Sequence, residues 1–189
     1  GCESPATATS ITIAPLSVGG TISPASSTKC FNVSTGNLTL TGNVGIVTKW
    51  QKRLNAGAWT DIAFTGSVYS ETPTSTGTWD YRAEVKSGGC IVAYSAIATV
   101  TVNPLPNPVI TGDNDVCPGA TGVTYSTADI SGHTYSWSVS GAASFSGQNT
   151  YLLTVNWANT CGSGYVNVTE TITATGCSAT TSDYTVTRT

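Results

Sequence analysis

Apolar and polar residues alternate at period two along most of the chain, and no window holds a sustained apolar period of 3.6. The pattern predicts strands rather than helices. In the first half, alternating runs occur at LSVGGTIS, NLTLTGN, IVTKWQKR, AWTDIAF, SVYSET, TWDYRAEV and SAIATVTV. Turn signals separate them at Gly42-Asn43, Asn55-Ala56-Gly57, Thr65-Gly66 and Ser87-Gly88-Gly89. The second half repeats the plan with VITG, GVTYSTA, TYSWSV, ASFSG, LLTVNW, YVNVTETIT and DYTVTRT.

The two halves share a framework. Cys30, Trp50 and Cys90 recur as Cys117, Trp137 and Cys177, with the same spacings of 20 and 60 residues and an offset of 87. A Trp on a central strand between distant cysteines suits an immunoglobulin-like sandwich, so Trp50 and Trp137 are expected in the two cores. A repeat at this period marks an array of modules. The expected fold is therefore all-β, with two tandem β-sandwiches over 14–102 and 109–189. The linker between them, NPLPNP at 103–108, holds three prolines and reads as a semi-rigid spacer. Residues 1–13 parallel the Gly-Cys turns and closing strands at 88–102 and 176–189. They are expected to be the last strand of a preceding module, or a donor strand able to add to a neighbour's sheet.

Composition narrows the setting. Only 9% of residues are charged, and there is no Met. From Ala14 to Asn103 six basic and four acidic residues leave a net +2, and from Pro104 to Thr189 one basic and five acidic residues leave −4. Opposite signs favour head-to-tail alignment of neighbouring modules or copies, ordinary solubility variation being the plainer alternative. Neither half has the profile of a nucleic-acid binder. No apolar run is long enough for a membrane helix, and no signal peptide is visible, which suggests a mature protein or an excised segment.

Six cysteines without a CxxC, and a lone His133 without a partner at zinc-ligand spacing, argue for disulfides in an oxidising compartment rather than for a metal site. Equal spacing favours Cys30–Cys90 and Cys117–Cys177, one staple per module. Counting strands raises an objection, because the two cysteines of a module then fall at opposite ends of the sandwich. A link such as Cys30–Cys177 between modules is the alternative. Cys2 and Cys161 remain, either as thiols or as a second disulfide, within the chain or between subunits.

With Trp50 inward, period two turns Lys49 and Arg53 outward, and Arg82 and Lys86 join them from the neighbouring strand. This face is either merely solvated or a mildly cationic surface for an acidic polysaccharide or an acidic neighbour. Trp59, Trp79 and Tyr94 are candidates for a sugar-stacking platform, although core packing is the commoner fate. The turn Asp113-Asn114-Asp115 lacks the six to eight oxygens that calcium takes. Sequons stand at Asn32, Asn37 and Asn167. Nucleophile–His–acid chemistry would have to centre on His133, and no phosphate loop or carboxylate pair appears, so no enzyme and no cofactor are expected.

The words SVGGTIS, LTLTGNVGIVTKWQ, WTDIA, YRAEV and the closing GGC…YS…TVTV resemble the immunoglobulin-like repeats of giant surface and secreted proteins of Bacteroidetes-type bacteria. ITGDNDVCPGATGVTYS, TYSWSVSG, SGQNT, VNW and GC resemble the PKD-like domain of the same proteins. Cys161 and the N-terminal strand depart from that pattern. The resemblance implies export to the cell surface, by the type IX route, and service as an adhesin stalk or filament of the gliding-adhesin kind. A self-assembling fibre subunit, using residues 1–13 as donor strand with Cys2 and Cys161 as cross-link, is the alternative. A carbohydrate-binding accessory module of a secreted hydrolase is a further one.

Overall fold

The computed structural model describes residues 13–189. Cys2 and nearly all of the expected N-terminal strand lie outside the described residues. The chain divides into two compact units between Val102 and Asn103.

Module one contains β1 (Thr21–Ser23), β2 (Ser26–Cys30), β3 (Leu38–Thr41), β4 (Ile46–Leu54), β5 (Thr60–Ile62), β6 (Val68–Tyr69), β7 (Gly77–Lys86), β8 (Ala93–Tyr94) and β9 (Ala98–Asn103). One sheet has the order β1-β3-β6; the other has the order β2-β9-β7-β4-β5, with β8 also on β7. Alternation sets the inner faces: Trp79, Tyr81, Ala83 and Val85 from β7, and Ala98, Val100 and Val102 from β9, pack against Ile22, Leu38 and Leu40 of the opposite sheet. Val47 and Trp50 are three residues apart, yet both are buried. A bulge at Thr48, where the register jumps from Val47↔Val85 to Lys49↔Glu84, makes this possible. Trp50 stacks on Tyr69 at 5.4 Å.

Module two contains β10 (Thr111–Gly112), β11 (Asp115–Val116), β12 (Val123–Ser126), β13 (His133–Ser140), β14 (Ala142–Ser146), β15 (Leu152–Trp157), β16 (Gly162–Ile172), β17 (Ser178–Thr180) and β18 (Tyr184–Arg188). Its sheets run β10-β12-β15-β14 and β11-β18-β16-β13, with β17 also on β16. Tyr125, Leu153, Val155 and Trp157 from the first sheet meet Tyr135, Trp137, Val166, Val168 and Val186 from the second. Gly164 lets the sheets approach closely, since a Cβ there would lie 2.8 Å from the Trp157 ring and 2.3 Å from the Ser140 carbonyl oxygen. The described residues are thus all-β, in two sandwiches.

Four strands lie outside the seven expected for each module: β2, β8, β11 and β17. All are short, and none has an apolar alternation, because main-chain bonds hold them at sheet edges or beside breaks. The closing strand is broken in both modules, and both breaks are patched in the same way. Ser95 accepts the Ala83 amide through Oγ (2.9 Å) and donates its own N–H to the Ala83 carbonyl. Thr181 does the same for Val168, with 3.1 Å to Oγ1.

Candidate functional site

Strand registers place the cysteines. In module one Ile46 pairs with Lys86 at the pole where the chain arrives, beside Ser17, whose Oγ takes the Ser87 amide. Leu54 pairs with Trp79, and Gly77 with Val102, at the pole where the chain departs. Cys90 follows Lys86 at the N-terminal pole, its Sγ 3.5 Å from the Pro15 carbonyl oxygen. Cys30 ends β2, and its carbonyl accepts from Val33. Two residues further on, Thr35 bonds to Glu71, whose carboxylate holds Lys52 and Tyr81, so Cys30 lies towards the C-terminal pole. The five residue steps from Tyr81 to Lys86 span about 17 Å, whereas a disulfide needs Cα atoms within about 7 Å.

Module two repeats the problem on a longer strand. Cys117 follows Val116, which pairs with Arg188 at the C-terminal pole. The Cys177 carbonyl accepts from Ile172, at the other end of β16. That strand is about 33 Å long from Gly162 to Ile172. Accordingly, Cys90, Cys117 and Cys161 are free thiols, while Cys30 and Cys177 are disulfide-bonded. The staples Cys30–Cys90 and Cys117–Cys177, favoured by spacing, do not form; equal spacing in sequence tracks position within the repeat, not proximity.

The outward face of β4, β5 and β7 is occupied by its own side chains. Lys49 bonds Asp61 at 2.9 Å and approaches Glu84 at 3.5 Å. Arg53 bonds Asp80 at 2.9 Å, and Asp80 also takes Thr99. Arg82 donates Nε–H to Gln51 and lies between Trp59 and Tyr94, 4.1 and 3.9 Å from the ring centres. Trp59 carries Arg53 as well, at 4.6 Å. The order Arg53–Trp59–Arg82–Tyr94 forms a cation–π stack. Only Lys86, of the four expected cationic residues, has no described side-chain partner. The face carries carboxylates as well as cations, because Asp80 and Glu84 share the period-two phase of Arg82. That signal was readable from β7 alone; Asp61 required knowledge of the pairing.

Titration follows these contacts. The hydrogen bond to Asp61 raises the Lys49 ammonium, and the bonds from Lys49 and Gln51 lower the Asp61 carboxyl. Burial acts to raise the Glu84 carboxyl, but bonds from Thr48, Tyr94 and Lys49 outweigh it and leave it below the ordinary value. The three candidate platform aromatics have separate surroundings. Both Trp59 and Tyr94 present a face to a guanidinium, and Trp79 is buried, with its indole N–H on the Ser75 carbonyl.

Other polar clusters serve the fold. The Glu71 carboxylate accepts from Lys52 at 2.6 Å, Tyr69 at 2.9 Å and Tyr81 at 2.8 Å. Burial, with this carboxylate second, pushes both phenols well above the usual tyrosine range. His133 Nδ1 meets the buried Glu170 at 2.5 Å across β13 and β16, within the sheet rather than in a cleft. Arg188 is buried, gives its guanidinium to the Gly141 carbonyl and lies 5.8 Å from the Trp157 ring. Asp113, Asn114 and Asp115 are exposed, and no metal-ligating group of three or more assembles among the described residues. A shallow groove of roughly 430 Å³ separates residues 107–110 from 179–184, and its carboxylate, Asp183, is engaged by Asn167. No described helix is long and apolar enough to cross a membrane.

Residues 18–104 match the model of a domain of unknown function (DUF8696), and residues 103–187 match the PKD-like domain. Among solved structures, the chain is similar to fibronectin(III)-like modules of CbhA from Clostridium thermocellum, at 14% identity and a TM-score of 0.38, covering 89% of this chain and 93% of that one. It is also similar to the FN1–FN3 domains of chicken CNTN1, at 13% identity and a TM-score of 0.39, covering 93% of this chain and 69% of that one. No curated protein matches the sequence. The described residues thus form two tandem β-sandwiches, the second of which is similar to the PKD-like domain.

Proposed function

We propose that this chain is a structural segment of an extracellular adhesin stalk or surface filament, bearing mechanical load between a cell and a distal binder. The observation that carries the reading is the terminal clamp of module two. The early strand β11 pairs in parallel with the closing strand β18, in the register Asp115↔Thr187 and Val116↔Arg188. Main-chain bonds run from Thr187 to Asn114 (2.8 Å) and from Thr189 to Val116 (3.1 Å). Tension applied through the two ends of the module pulls β11 and β18 in opposite directions along their axes. The bonds are then sheared together rather than unzipped singly. Oxidised Cys30 and Cys177 support a compartment outside the reducing cytoplasm. Modules of this architecture typically serve without catalysis, and the carbohydrate-binding alternative is less favoured because Trp59 and Tyr94 carry Arg82 and Trp79 is buried.

Single-molecule force spectroscopy tests the reading. Pulled through its ends, module two should unfold at a clearly higher force than when pulled across the directly paired residues His133 and Ile172, which unzips β13 from β16. Equal forces in the two geometries would remove the mechanical argument.

A further inference from the structure

The four repeat cysteines divide by pole and by oxidation state. Cys30, towards the C-terminal pole of module one, and Cys177, at the N-terminal pole of module two, are disulfide-bonded. Their repeat counterparts are thiols at the complementary poles: Cys117 at the C-terminal pole of module two, and Cys90 at the N-terminal pole of module one. One cysteine of each kind is therefore used and one of each kind remains.

The surroundings of Cys90 point to a partner. Ile13, Leu16, Ile46 and Ile91 gather at that pole, 87, 69, 73 and 81% exposed. Leu16 and Ile91 each adjoin a member of the Pro15–Cys90 contact, and Ile46 pairs with Lys86. Large apolar side chains exposed together at one pole mark an interaction site. Its charge setting fits a module such as the second one: module one carries net +2 with Lys86 exposed at this pole, and module two carries −4 with Asp115 exposed beside Cys117. Cys117 is itself exposed.

We propose that the N-terminal pole of module one docks the C-terminal pole of module two from a second copy of this chain, and that a Cys90–Cys117 disulfide seals the joint. A small-molecule disulfide, such as oxidised glutathione, is the oxidant. The Cys117 thiolate attacks one of its sulfurs and releases one glutathione thiolate. The Cys90 thiolate of the other copy then attacks the Cys117 sulfur of the mixed disulfide and releases the second. Two protein thiols lose two electrons and two protons, and one glutathione disulfide becomes two thiols. The proposal rests on the stalk reading for its oxidising setting, and it moves the cross-link from Cys2 and Cys161 to a different pair.

The test uses the full chain carrying Cys2→Ser and Cys161→Ser, equilibrated in a glutathione redox buffer. Non-reducing electrophoresis should show a ladder of chain multiples, and peptide mass spectrometry a Cys90–Cys117 cross-link. Adding Cys90→Ser or Cys117→Ser should abolish every species beyond the dimer, and Ile91→Asp should deplete the ladder while both thiols remain. A monomer with Cys90 and Cys117 both open to alkylation would overturn the proposal, and so would a ladder that survives Cys117→Ser. Such a monomer that still resists end-to-end load would leave the stalk reading standing, so the two fail separately.

Discussion

Replacing Ser95 by Ala removes one hydroxyl and leaves one buried donor without a partner. Ala83 is fully buried at the centre of β7, and the break between β8 and β9 leaves its N–H with the Ser95 Oγ at 2.9 Å as acceptor. Ser95 is itself buried, so water cannot simply take the place of the hydroxyl. An unsatisfied buried amide costs about 1–3 kcal/mol, and loss of the small Oγ volume adds little. Module one should therefore lose about 2 kcal/mol. Urea unfolding should show a lower midpoint with an unchanged slope, since the surface exposed on unfolding is the same. Hydrogen exchange at Ala83 should accelerate, and exchange in module two should not. The matching change in module two, Thr181→Val, should cost about 1 kcal/mol, the lower end of the same range, because Thr181 is only half-buried. A Ser95→Ala loss under about 0.5 kcal/mol, the lower bound for an ordinary hydrogen bond, would refute the claim that this hydroxyl closes the break.

Glu71→Ala should destabilise module one by about 2–4 kcal/mol, because Tyr69, Tyr81 and Lys52 lose one shared acceptor; Glu71→Gln should recover part of it in the same urea titration. Asp61 and Glu84 have carboxyls held below their ordinary values, so their stabilisation is present above about pH 4 and is lost as pH falls through the folded values. Acid unfolding of module one should accordingly be less steep in an Asp61→Asn, Glu84→Gln variant, and an unchanged acid limb would show that the pair contributes nothing. Trp59→Ala should cost about 1–2 kcal/mol through two lost cation–π contacts, with enhanced mobility of Arg82 by NMR; tight binding of Arg82 in that variant would contradict the stack. Gly164→Ala should unfold module two at markedly lower urea, since a Cβ would meet the Trp157 ring and the Ser140 carbonyl, and wild-type stability would show that the sheets have room to part.

Much of the architecture was legible because period-two burial is a local property. Apolar or small inner residues recur at every second position of β7 and β16, with Asp80 the one outward residue of that stretch of β7 that is also buried, so the strand and its inner face could be read from Trp79 to Val85 and from Gly164 to Val168. Strands held only by main-chain bonds at an edge were not legible. Ser26–Cys30 has no apolar alternation, and Asp115–Val116 is too short to show one. The bulge at Thr48 was also hidden, although the burial of both Val47 and Trp50 depends on it.

The sequence by itself determined the strand type, the tandem repeat, the paired Trp residues and the alternation that separates core from surface, because each depends on residues near one another in the chain. Only the tertiary structure decided which cysteines can meet, since a repeat spacing places two residues in equivalent positions without bringing them within bonding distance. It also decided the fate of the outward charges. Lys49, Arg53 and Arg82 found Asp61, Asp80, Trp59 and Tyr94 across strand pairs, and such partnerships are set by register between strands, which no local pattern encodes.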